Sequence, residues 1–143
     1  MDDNGRTIAV PAWFNLAAIA AVLWELLGAA IFWLRATADR AALPVDERAV
    51  IEAMPQWAVI AFAVAVVSGL AGAVLLLLRR RAAGPLLLLS LVAVTVQDSA
   101  YLLDSRLSNL TASDDLLLPF LVILGCYSVW HLAWQARRWG WLR

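Results

Sequence analysis

Two acidic residues, Glu25 and Asp98, stand inside long apolar runs of the sequence. An ionisable side chain at the middle of a lipid bilayer costs about 2.5–3.5 kcal/mol on insertion scales, so its presence needs a physical reason. At a rise of ~1.5 Å per residue, Glu25 lies ~18 Å from Trp13 and Asp98 lies ~21 Å from Gly84, so the two carboxyl groups are predicted at nearly one depth. Such a pair could exchange protons, or could bind a cation or a small polar solute.

The neighbours of the two acids predict that both point toward the interior of a helix bundle. Glu25 shares a helical face with alanines and a glycine, and small residues allow helices to approach closely. Gln97 and Tyr101 lie on the polar side of the run that contains Asp98. The candidate intramembrane polar site therefore consists of Glu25, Gln97, Asp98 and Tyr101. In the alternative interpretation, each acid is protonated or hydrogen-bonded to Gln97 or Tyr101 and only holds the helices together.

A weaker polar stripe combines Ser128 and His131 in the last apolar run with Asn15 in the first. A spacing of three residues places Ser128 and His131 on one helical face, and His131 falls at a level comparable to Asn15. One histidine without cysteine or carboxylate partners at ligand spacing does not predict a metal site, so we expect interfacial hydrogen bonding. The sequence predicts neither a metal nor another cofactor, and the single cysteine, Cys126, excludes an internal disulfide.

Four apolar stretches carry these residues, at 13–34, 57–78, 84–103 and 116–134. Each is long enough to cross a bilayer, which takes ~20 predominantly apolar residues. The hydrophobic fraction of 64% and the mean hydropathy of +0.79 exclude a soluble protein of this size. The chain of 143 residues has room for a single domain. The sequence therefore predicts an all-α membrane protein, an up-down bundle of four transmembrane helices.

The connections between the spans differ in their patterns. In the first outer loop, the segment 46–54 keeps apolar residues near one face and charged residues on the other, which predicts a short amphipathic helix on the membrane surface. The second outer loop, 104–115, is polar and rich in turn-forming residues. Within the second span, Ala65, Gly69 and Ala73 follow each other at four-residue spacing. This spacing predicts a close helix contact, either internal or between subunits.

Arginines are distributed unevenly between the two sides of the membrane. All eleven basic residues are arginine, which together with the many alanines suggests a bacterial gene. If both termini are cytoplasmic, the inside carries seven arginines and the outside four, so the positive-inside rule predicts a multi-pass protein of the bacterial inner membrane with both termini in the cytoplasm. The inside arginines are Arg6, Arg79, Arg80, Arg81, Arg137, Arg138 and Arg143, and the outside arginines are Arg35, Arg40, Arg48 and Arg106.

Several short runs carry a family resemblance. They are Trp-Glu-Leu-Leu-Gly at 24–28, Glu-Ala-Met-Pro-Gln-Trp at 52–57, Val-Gln at 96–97 and Gly-Trp-Leu-Arg at 140–143. In these runs the chain resembles a family of small four-helix bacterial inner-membrane proteins, uncharacterised and carrying the automatic label of sugar transporter. The resemblance covers nearly the whole chain and implies solute transport. It implies no particular catalytic or binding residues.

The leading interpretation is a transporter-like protein that handles a small polar solute, including a sugar, or protons through an interior acidic site. Four short spans rarely enclose a pathway alone, so this interpretation implies a homo-oligomer. The alternative is a non-transporting accessory or assembly subunit of a larger membrane complex. An enzyme is not expected, because the sequence lacks a nucleophile–base pair and a metal cluster. The expected surroundings are the lipid bilayer and other membrane subunits, with no nucleic acid.

Overall fold

The computed structural model describes residues 10–110 and 117–143 of the chain. Within these ranges, four helical stretches are long and apolar enough to cross a membrane: Ala12–Thr37, Gln56–Leu77, Ala83–Leu103 and Leu117–Arg138. This confirms the predicted all-α bundle of four spans, although residue 116 lies outside the described residues. The helices are α1 (Ala12–Thr37), α2 (Val45–Ala53), α3 (Gln56–Leu77), α4 (Ala83–Asp98), α5 (Ala100–Leu103), α6 (Ser105–Leu110) and α7 (Leu117–Arg138).

The spans pack in the order α1, α3, α4, α7, and the most extensive contact joins α3 to α4. This contact is close because α3 presents small residues to its neighbour. A Cβ atom at Gly72 would lie 2.8 Å from Cγ and 3.1 Å from the backbone nitrogen of Leu87. Ala65, Gly69 and Ala73 are buried as well. The predicted close contact is therefore confirmed, and it is internal to the chain.

The two outer members of this order, α1 and α7, share little backbone contact. They meet where the indole ring of Trp24 lies directly against Gly125, in the space that a side chain at that position would fill. Of the residues in α7, only Cys126, Ala133 and Ala136 are buried. The bundle is thus closely packed between α3 and α4 and more open between α1 and α7.

One end of the bundle carries the turn between α3 and α4, and we call it the arginine-rich end. Here the chain leaves α3 through Arg79, which has a φ of 56°, and the amide of Arg80 donates to the Leu75 carbonyl oxygen. This is the Schellman arrangement, in which glycine usually occupies the left-handed position. The amide of Arg143 donates to the Arg79 carbonyl oxygen at 2.7 Å, and the amide of Arg81 donates to the Arg143 carbonyl oxygen at 3.0 Å. The segment 140–143 is thereby docked on the turn.

Aromatic rings close the same end. Trp141 contacts Phe14 and Trp13 edge to face, with ring centroids 5.4 and 5.6 Å apart. Trp139 lies 4.6 Å from Trp141, and Phe14 is completely buried. Edge-to-face contacts of this kind add to the stability that burial itself provides. The tryptophans at this end therefore contact one another.

The opposite end, which we call the α2 end, contains the predicted amphipathic helix as α2. The apolar face of α2 packs against a small cluster of buried residues, Ala58, Ala100 and Leu107. Leu107 belongs to α6, a short helix that the polar pattern of 104–115 does not predict. Asp104 supports α6, because its carboxylate accepts a hydrogen bond from the Arg106 amide at 2.9 Å. Contacts with other parts of the protein therefore cover some of the apolar face of α2, which the sequence predicts to lie on the membrane surface.

Candidate functional site

Glu25 lies in the interior of the bundle, on the buried face of α1. Its side chain is only 6% exposed, and Phe14, Ala18 and Ala21 are buried on the same helix. This face was predicted from the spacing of small residues. Glu25 lines a cavity of about 200 Å³, which we call the mid-bundle cavity. The other residues around this cavity are apolar, with the exception of Ser90 and Cys126.

The carboxyl group of Glu25 fits closely against α3 because Gly69 has no side chain. One carboxylate oxygen occupies the space next to Gly69 in which a Cβ atom would otherwise lie, and Ser90 Oγ borders the same space at 2.7 Å. The Ser90 hydroxyl donates its hydrogen bond to the Ala65 carbonyl oxygen at 2.8 Å. Residues from α1, α3 and α4 thus meet at this point, and the small residue at 69 makes room for the acid.

A second and larger cavity, of about 380 Å³, opens at the α2 end, and we call it the end cavity. Its polar lining consists of Arg35, Arg40, Glu52, Gln56 and Gln97. The remaining lining is apolar and includes residues of α1, α2 and α3. Ligand cavities usually measure roughly 300–1,000 Å³ and combine apolar walls with a few polar groups. The end cavity has both features.

The two cavities share a residue. Phe62 lines both of them, and its ring contacts Phe32 edge to face with centroids 5.2 Å apart. Phe32 itself lines the end cavity. Phe62 is therefore part of the wall of both the space beside Glu25 and the space that opens at the α2 end.

The four residues of the predicted intramembrane site are divided between these surroundings. Glu25 lines the mid-bundle cavity and Gln97 lines the end cavity, whereas Asp98 and Tyr101 line neither of the two. Oδ2 of Asp98 is buried and has no hydrogen-bond partner within the described part of the chain. Tyr101 packs against the cluster of Ala58, Ala100 and Leu107 at the α2 end. Cys126 lines the mid-bundle cavity together with Glu25.

The secondary polar stripe is not brought together as one group. Asn15 accepts a hydrogen bond from the Arg79 guanidinium group at 3.1 Å, so it anchors the turn at the arginine-rich end. Ser128 is exposed and donates to the Leu124 carbonyl oxygen of its own helix at 2.8 Å. His131 stacks between the rings of Tyr127 and Trp134, with centroid distances of 5.8 and 5.7 Å.

Sequence reasoning missed Arg35, Arg40, Glu52 and Phe62 as lining residues. The three charged residues belong to the first outer loop and its borders, where charges are expected from solvent exposure alone. The one signal that could have indicated Phe62 is its aromatic ring, which stands in the second helical turn of a span that is aliphatic and small-residue after Trp57.

The described residues contain no group of three or more His, Cys, Asp or Glu side chains that could hold a metal ion. The candidate site is therefore the pair of cavities, one with a buried carboxyl group and one with two guanidinium groups. Comparisons with the models of known protein families, with curated proteins and with solved structures give no match for this chain.

Proposed function

We propose that this chain is a transporter-like protein of the bacterial inner membrane, in which Glu25 binds and releases a proton or a small polar solute. The observation that carries the proposal is the position of Glu25. Its carboxyl group is buried at the middle of a span, yet it borders a cavity of about 200 Å³ instead of being fully enclosed by protein atoms.

The energetics favour a functional role for this residue. Placing an acid at this depth costs about 2.5–3.5 kcal/mol, which an apolar residue of similar size would avoid. Water occupies roughly 30 Å³ per molecule in the liquid, so the cavity has room for several water molecules or for a small solute beside the carboxyl group. A purely structural acid would need no such space.

The arrangement of the two cavities supports a route to Glu25 from the α2 end. Phe62 lines both the end cavity and the mid-bundle cavity, so the two spaces adjoin at this residue. If the arginine-rich end is cytoplasmic, as the positive-inside rule favours, the end cavity faces the periplasm. Since four helices of this length rarely enclose a continuous pathway alone, we further propose that two or more copies assemble.

The test is proton uptake by liposomes that contain the purified protein and a pH-sensitive dye in their lumen. Under an imposed membrane potential, the wild-type chain should acidify the lumen faster than protein-free liposomes do. Glu25→Gln should abolish this flux while the helical content remains, because the amide keeps the size of the side chain but cannot exchange a proton. Glu47→Gln, which removes an exposed acid from α2, should leave the flux unchanged.

Two results would contradict the proposal. One is a wild-type flux equal to that of empty liposomes, both for protons and for radiolabelled sugars as probe solutes. The other is an unchanged flux in the correctly folded Glu25→Gln variant.

A second candidate function, an accessory subunit of a larger membrane complex, is favoured by the surface of α7. Tyr127 and Trp134 are 46% and 41% exposed, and the guanidinium group of Arg138 lies 4.8 Å from the centre of the Trp134 ring. Exposed aromatic residues of this kind are typical of docking surfaces. Purification from native membranes separates the two functions, because an accessory subunit should retain a foreign subunit at a fixed stoichiometry and a homo-oligomeric transporter should not.

A further inference from the structure

The end cavity is lined by charged residues that take no part in the Glu25 site. Arg35 lies in the last turn of α1 and Arg40 in the connection to α2, while Glu52 lies on α2. Two guanidinium groups therefore oppose one carboxylate, and the lining has a net positive charge. Within the described residues, neither arginine forms an ion pair or hydrogen bond. Their donors are free to contact a bound molecule.

The remaining lining favours a ligand with an apolar part. Phe32 and Phe62 form one wall, and Ile51 and Met54 contribute aliphatic surface. Gln97 is only 7% exposed, and its side chain borders the cavity.

We propose that the end cavity binds a small organic anion, a carboxylate or phosphate ester attached to an apolar group. The guanidinium groups of Arg35 and Arg40 contact the anionic group, since Arg presents planar donors that match carboxylate and phosphate oxygens. The apolar group lies against the phenyl rings. The same chemistry is available from a soluble metabolite or from the headgroup of an anionic phospholipid. The site is distinct from Glu25 and does not depend on the proposed function of that residue.

Phenyl phosphate is a suitable probe, because it combines a phosphate ester with one aromatic ring. Titrated calorimetrically into the protein in phosphatidylcholine nanodiscs, it should bind with saturation. The double variant Arg35→Gln and Arg40→Gln should bind at least tenfold more weakly. Arg106→Gln is the matched control, since it removes one exposed arginine from the same end but outside the cavity. It should bind as the wild type does, and so should Glu25→Gln, which separates this proposal from the preceding one.

A second arm identifies the source of the anion. In nanodiscs that contain phosphatidylglycerol, a cavity that prefers lipid headgroups should lose its affinity for phenyl phosphate, whereas a cavity for soluble anions should retain it. Either result supports the anion site. Two results would overturn the anion site. One is equal binding of phenyl phosphate by the wild type and the double variant. The other is no saturable binding in phosphatidylcholine, combined with no effect of phosphatidylglycerol on the thermal stability of the wild type.

Discussion

The two sides of this bundle are built on different packing principles. Between α3 and α4, small residues bring the backbones together, and a Cβ atom at Gly72 would already be too close to Leu87. Between α1 and α7, the indole ring of Trp24 lies on Gly125, and residues of both helices line the mid-bundle cavity. Close packing of backbones is the main source of helix association in lipid, where no hydrophobic driving force acts between helices.

The difference shows how a short chain combines stability with an internal space. The α3–α4 pair forms a compact support, and the other two spans can then leave room beside it. Glu25 lies at the boundary, because its carboxyl group rests on Gly69 of the compact side while it faces the cavity of the open side. Substitutions on the two sides should therefore have different consequences.

The largest effect on stability is expected at Gly72. Gly72→Ala should lower the free energy of unfolding in detergent by about 1–3 kcal/mol, because the added methyl group would press on the backbone of Leu87 as well as on its side chain. The matched variant is Gly28→Ala on the open side, where no atom lies within 4 Å of the added Cβ. It should not destabilise the protein. Equal effects of the two substitutions on unfolding by SDS would remove the distinction between the two sides.

An effect of intermediate size is expected at Phe62, and it is measured as the labelling rate of a cysteine. Phe62→Ala should remove the wall between the two cavities and expose Cys126, which lines the mid-bundle cavity, to a membrane-impermeant thiol reagent added at the α2 end. The labelling rate of this single cysteine should rise roughly tenfold, equivalent to about 1.4 kcal/mol. Phe120→Ala is the control, because Phe120 is 62% exposed on α7. If the rate does not change in Phe62→Ala, the two cavities are not separated by this ring.

The smallest effect concerns one hydrogen bond of the compact side. Ser90→Ala should cost about 0.6 kcal/mol, the average for interhelical hydrogen bonds in membranes, since its hydroxyl group joins α4 to the Ala65 carbonyl oxygen of α3. In Ser128→Ala the lost bond lies within α7 and is exposed, so unfolding should be unaffected. A larger loss in Ser128→Ala than in Ser90→Ala would contradict the assignment of the compact side.

Most of the fold could be predicted from the sequence, because span length and hydropathy are local properties. The amphipathic pattern of 46–54 likewise predicted α2 to within a residue at each end. The helix α6 could not be predicted in this way. It depends on the Asp104 cap and on the burial of Leu107 against residues of α3 and α5, and contacts so distant in the sequence leave no periodic signal.

The candidate site was predictable only in part. The strip of small residues beside Glu25 correctly indicated its inward orientation. Gln97 lines the end cavity and Asp98 lines neither cavity, because adjacent residues of a helix point about 100° apart, although the two side chains remain close enough to interact. The prediction that Glu25 and Asp98 lie at nearly one depth came from counting residues, and depth does not decide which side of a helix faces a cavity. The end cavity depends on the path of a loop that the sequence does not determine.

The docking of segment 140–143 on the turn at 79–81 also has a consequence for the order of assembly. The hydrogen bond from the Arg81 side chain to the Leu142 carbonyl oxygen joins residues 61 positions apart, and both α4 and α7 lie between them in the chain. The α3–α4 hairpin can form as soon as its own residues are in the membrane. The docked backbone can form only after the fourth span has been inserted, so this contact reports completed insertion.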